Sequence, residues 1–247
     1  IDTIDLYRSG SLASKPILSS DALSLIDSIS PDEELRKILE YRTQELIEYQ
    51  NLSYAKEYIN FVGNILEKEQ KTRSSSELSQ NVAKYLFKLM ATKDEYEVAR
   101  LSLKSELDSA ISKEFGKSAK INYMLHPPFL KAMENIPILN MLPGVKSKLA
   151  LGSWFKIFYV MLKNMKFLRG TIFDFMAWFS NDVRKADKKA LDHYKSVIMK
   201  NIDEIGNGKY QDLKDFSVLP DIIRGYEEVR LETMTEFYQK SDNLFKS

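Results

Sequence analysis

The 247-residue chain has no cysteine. By itself it therefore cannot form disulfides, thiol nucleophiles, cysteine-built zinc sites or thiolate-held iron–sulfur clusters. Histidine is nearly as scarce, with only His126 and His193. Neither sign of charge dominates: Lys+Arg 36 against Asp+Glu 35 leaves a formal charge of +1, so no broad field favours nucleic acid or an anionic membrane as partner. Secretory leaders and bilayer-length apolar runs are also missing, which makes the cytoplasm the default expectation. The sequence has no GxGxxG, GxxxxGK[ST], HExxH, GxSxG or EF-hand loop, and Gly206 with Gly208 are too sparse to cradle a phosphate. Processing, or a longer parent polypeptide, would each account for a chain that begins at Ile1 without methionine.

What is present is a helix-forming pattern. A composition of 44% hydrophobic and 29% charged residues is ordinary for a globular chain with a proper core. Ser153 to Leu168 is apolar almost all round a helical wheel, apart from a basic stripe of Lys156, Lys163 and Lys166 with Tyr159 beside it. At about 16 residues it is too short and too charged for a membrane span, so it reads as a buried central helix covered by neighbours. Arg169, Gly170 and Thr171 form its stop signal.

The remaining segments follow in order. Residues 1–30 are serine-dense and read as a linker that docks partway along, with a short helix around Ala22 to Ile29. Ser30-Pro31-Asp32-Glu33 has the form of a capping box opening one long helix, whose stripe of Leu35, Leu39, Leu46, Tyr49, Ile59, Val62 and Leu66 runs to about Lys68. Tyr49, Tyr54 and Tyr58 lie along it, and the simpler reading is core-edge packing with hydrated hydroxyls. Further boxes at Ser74–Glu77 and Thr92–Glu95 open the next helices, and Gly116 closes a short one from Ser105. Ala119 to Leu125 alternates as an extended segment, and a proline-rich excursion runs on to Gly144. Beyond the aromatic stretch Thr171 to Phe179, Ser180 can cap a long helix with Val183, Ala190, Tyr194, Ile198 and Ile202 on one face. Shorter helices follow around Tyr210 and Pro220, then a final helix from Tyr226 with Lys240 to Ser247 frayed. The expected fold is all-α and irregular, residues 31–247 forming one helical domain with two possible sub-bundles, 31–116 and 145–247.

Candidate chemistry is thin, and no catalytic, cofactor-binding or metal-ligating residue is assigned. His126, beside two prolines, reads as a turn histidine, and His193 as a solvated one on a charged face. Asp94, Glu95 and Glu97 suit a helix N-terminus, and Arg184, Lys185, Lys188 and Lys189 a solvated surface. Arg169 and Arg224 are the stronger candidates. Each precedes a glycine at a helix end and is followed by Thr171 or Tyr226, so each could aim a guanidinium at a carboxylate or phosphate. The competing reading is an arginine that bonds the last carbonyls of its helix.

Five blocks occur in order: RTQELIEYQNLSYAKEYINFV (Arg42 to Val62), VAKYLFKLMATKDEYEVARL (Val82 to Leu101), GSWF (Gly152 to Phe155), LRGTIFD (Leu168 to Asp174) and LPDIIRGYEEVR (Leu219 to Arg230). Together they resemble the C-terminal domain of fused indolepyruvate ferredoxin oxidoreductases. The resemblance covers roughly Pro31 to the end, and the second and last blocks are its specific ones. It implies a non-catalytic accessory domain that packs on other domains or subunits of an enzyme oxidatively decarboxylating 2-oxoacids. Such an enzyme uses thiamine diphosphate, iron–sulfur clusters and coenzyme A, held by other domains, and ferredoxin as electron acceptor. The family tends to have a small residue where His126 stands and proline where Phe175 follows Asp174.

Overall fold

The computed structural model describes residues 17–104, 109, 113–114, 116, 123–125, 149–151, 156–174 and 181–245. His126 and Phe175 lie outside them. Nine α-helices carry the described chain: α1 (Ser20–Asp27), α2 (Glu33–Tyr49), α3 (Leu52–Thr72), α4 (Glu77–Met90), α5 (Glu95–Ser102), α6 (Lys156–Asn164), α7 (Asn181–Asn201), α8 (Tyr210–Val218) and α9 (Glu227–Leu244). Three 3-10 segments, Met165–Leu168, Ile202–Asn207 and Leu219–Ile222, extend or link them. The fold is all-α, as expected, with one small antiparallel ribbon. In it β1 (Tyr123–Leu125) pairs with β2 (Leu149–Leu151) in the register Tyr123↔Leu151 and Leu125↔Leu149, so the alternating segment has a strand partner that periodicity did not identify.

The chain forms two compact units, and they cut the sequence differently from the expected 31–116 and 145–247. Residues 15–92 and 182–247 make the larger, and 93–181 belong with 1–14 to the smaller. Hydrophobic matching explains the larger one. Leu39, Leu46, Ile59, Val62, Val82 and Leu86 from the first half are buried in one cluster with Tyr194, Ile198, Leu213, Phe216 and Phe237 from the second. Each such side chain contributes about 1.5–3 kcal/mol when fully buried, so the two halves are held together although 89 intervening residues separate them in sequence.

The serine-dense segment docks as expected, because α1 buries Ala22 and Ile26, and Leu25 and Ile29 also pack on the core. Three other expectations for the larger unit need correction. The single long helix is two. Asn51 caps α3 by accepting the Tyr54 amide at 2.9 Å, and Gln50, with φ −126° and ψ −79°, leaves the helical region between them. The cap of α2 is Asp32, which accepts the Leu35 amide at 2.8 Å, while Ser30 sits at φ 48° in the turn from α1. Tyr49 and Tyr58 lie in the core and only Tyr54 at its edge, and their hydroxyls are not left to water: Tyr49 bonds Thr92 Oγ1, Tyr54 donates to Met90 O and Tyr58 to Ala83 O.

Gly63, inside α3, is a close-approach position. A Cβ there would lie 2.6 Å from Ile29 Cγ2, an atom fixed to a stiff β-branched stem. Helix propensity favours alanine over glycine by ~1 kcal/mol, whereas overpacking a core costs ~1–3 kcal/mol. Gly63→Ala should therefore lower the melting temperature by a few degrees in a thermal scan. A rise would show that α1 is free to retreat from α3.

In the smaller unit, Tyr96 and Ala99 of α5 pack with Tyr159 and Leu162 of α6. This corrects the expected central helix. Ile157 is 77% exposed and Phe167 68%, with Val160 and Met161 about half exposed, so α6 buries one side only and the main core lies in α2–α4 and α7–α9. Apolar residues all round a wheel call for cover, but among the described residues α5 covers a single face.

Candidate functional site

Arg169 follows the 3-10 turn that ends α6, and Gly170 at φ 75° takes the left-handed conformation that releases the chain. The guanidinium does not project into solvent. Its Nε and Nη2 donate to Asp94 Oδ2 and Oδ1 at 2.5 and 2.9 Å, a bidentate pair in which both side chains are largely buried. Asp94 also caps α5 by accepting the Glu97 amide at 2.8 Å. Beside it Asp174, fully buried, accepts from the Tyr96 hydroxyl at 2.9 Å and the Gly170 amide at 3.0 Å. The Arg169 guanidinium stands 5.5 Å from the Tyr96 ring centre, and Glu97 holds Arg100 through two further buried bonds. Thr171, exposed, donates to Leu168 O and accepts from the Phe173 amide, which closes the turn without joining the cluster.

The Arg224 turn belongs to the larger unit. Arg224 donates to Asp221 Oδ2 at 2.7 Å and to Asp221 O at 2.9 Å, so it bonds its own 3-10 turn, as the competing reading had it, and remains 70% exposed. Lys88 reaches the same aspartate, and Tyr226 stands exposed at the N-cap of α9 without a side-chain cap bond. The sequence had singled out both arginines, and the structure gives each an acidic partner from its own unit.

Two polar positions went unrecognised in the sequence. Glu69, fully buried near the end of α3, accepts four hydrogen bonds, from the Leu78 and Ser79 amides (both 2.9 Å), Ser79 Oγ (2.6 Å) and the Tyr210 hydroxyl (2.8 Å). It does the work expected of the serine box: Ser76 occupies the N-cap of α4 but makes no side-chain cap bond. Arg73 adds a guanidinium 4.1 Å from the Tyr210 ring centre.

The other is His193. It is not on a solvated face, because Phe237 and Tyr238 of α9 pack edge-on to its ring at 5.7 and 5.0 Å. Its Nε2 lies 2.8 Å from Ser241 Oγ, and Ser241 is buried in a stretch expected to fray. Burial pushes the imidazole below its ordinary pKa, with Asp242 pulling weakly the other way. A cavity of about 420 Å³ opens here, lined by His193, Val197, Lys200, Asn201, Lys209, Ser241, Asp242 and Phe245. The only advance signal was a histidine at helical spacing from Val197 and Lys200.

Among the described residues no cluster of three or more histidines or carboxylates is arranged to hold a metal, and no helix is long and apolar enough to cross a membrane. A family model, described as a family of unknown function (DUF6537), matches residues 35–243. No curated protein and no solved structure matches the chain.

Proposed function

The chain belongs to that family of unknown function, and on this premise we propose that it is a non-catalytic accessory domain of an enzyme similar to indolepyruvate ferredoxin oxidoreductase. Its role there is to pack on the catalytic domains or a partner subunit. The observation that carries this reading is what six buried or largely buried ionisable groups do. Glu69, Asp94, Glu97, Arg100, Arg169 and Asp174 are bonded to helix amides, a tyrosine hydroxyl or each other, an arrangement that stiffens a scaffold. A general acid or base must instead present its proton to a substrate. The ordered blocks from Arg42 to Arg230 supply the link to 2-oxoacid oxidation. On this reading thiamine diphosphate, iron–sulfur clusters and coenzyme A are bound by other domains of a cytoplasmic parent enzyme, and ferredoxin takes the electrons.

Deleting residues 31–247 from the parent polypeptide tests the proposal. The expected result is loss of subunit assembly, with 2-oxoacid-dependent ferredoxin reduction falling at least tenfold and cofactor content of the remaining domains retained. Full turnover with unchanged assembly would defeat it.

A further inference from the structure

The cavity beside His193 has features of a ligand site that the accessory role does not use. At about 420 Å³ it is within the ~300–1,000 Å³ usual for small-molecule pockets. Its walls come from the last turns of α7 and α9 and from Lys209 just before α8, so rigid elements fix them. Donors dominate the polar lining. Lys200 and Lys209 carry positive charge, and Asn201, Ser241 and His193 add neutral polar groups, against the single carboxylate of Asp242. Lys200 has no acidic partner among the described residues, and Lys209 is only loosely paired with Asp212 at 3.6 Å. The rest of the lining is apolar: Val197 and Phe245. Phe216, Phe237 and Tyr238 pack edge-on to the His193 ring, whose Nε2 lies 2.8 Å from Ser241 Oγ.

We propose that this cavity binds a small organic anion, a carboxylate or phosphate monoester with an apolar body, Lys200 and Lys209 taking the oxyanion and Val197 with Phe245 the hydrocarbon. The lining itself holds two lysines against one aspartate, and Asp212, 3.6 Å from Lys209, offsets part of that positive charge. Lys200 is exposed and Lys209 half-buried, so the attraction for an anion comes from both ammonium groups lining one cavity rather than from their burial. The described residues that line the cavity all fall within 182–247, so the inference does not depend on the parent-enzyme reading.

Calorimetric titration of the full chain with phenyl phosphate, benzoate and the neutral benzyl alcohol tests it. At least one anion should bind with submillimolar Kd and the alcohol at least tenfold more weakly. The phosphate and carboxylate arms distinguish the two sources of negative charge. In Lys200→Gln/Lys209→Gln, Kd should rise at least tenfold with the melting temperature kept, while Lys185→Gln/Lys188→Gln on the exposed part of α7 should leave Kd unchanged. Saturation should also move the His193 ring resonances. No heat from either anion, equal binding of the alcohol, or equal weakening by both double variants would overturn the proposal.

Discussion

Replacing Glu69 by alanine should lower the melting temperature of the larger unit by roughly 10 °C. A hydrogen bond to a charged acceptor contributes ~1.5–3 kcal/mol, and buried donors left without a partner carry a further cost. In Glu69→Ala the Leu78 and Ser79 amides lose their acceptor together with Ser79 Oγ and the Tyr210 hydroxyl. Water can recover part of this at a helix end, so a net loss of ~3–5 kcal/mol is expected. Tyr210→Phe, which removes one of the four bonds, should cost only ~1 kcal/mol. Amide exchange at Leu78 and Ser79 should accelerate strongly in the alanine variant and little in the phenylalanine one. If the two variants melt together, Glu69 is not the cap of α4.

In the smaller unit the corresponding expectation concerns Arg169. Arg169→Met keeps the length of the side chain but leaves Asp94 buried without its bidentate partner, a change expected to cost ~3–5 kcal/mol. Asp94→Asn/Arg169→Met should be less destabilised than the sum of the single changes by ~2 kcal/mol, because no uncompensated charge then remains. Proteolysis and amide exchange within α5 report the effect locally, since Asp94 is also the cap of that helix. Additive single effects would mean that the two side chains do not depend on each other.

These two positions mark how far the sequence could be read. The stop signal Arg169-Gly170 was legible because glycine in the left-handed region leaves a local trace, and φ 75° at Gly170 agrees with it. That Arg169 would meet Asp94, 75 residues earlier in the chain, was not, because nothing in either neighbourhood encodes the other. The acidic group near Asp94 was rightly placed at a helix N-terminus, but the cap is Asp94 and not the expected Thr92, and the capping of α4 by Glu69 was missed, since the local serines already supplied a cap of the usual type. His193 was misread for a related reason: the aromatic rings around it come from α8 and α9, outside any local window.

Helix content, the apolar stripes of α2, α3 and α7, and the glycine stops at Gly170 and Gly225 were all written in local residue order, because periodicity and backbone sterics act over a few neighbours. Which stripe became the main core, why α6 meets cover on one face among the described residues, and which carboxylate or imidazole was drawn out of water were settled when distant helices packed. A period says which residues share a face. What that face meets depends on contacts between segments far apart in the chain, and those contacts placed the buried ion pair at Arg169 and lined the His193 cavity.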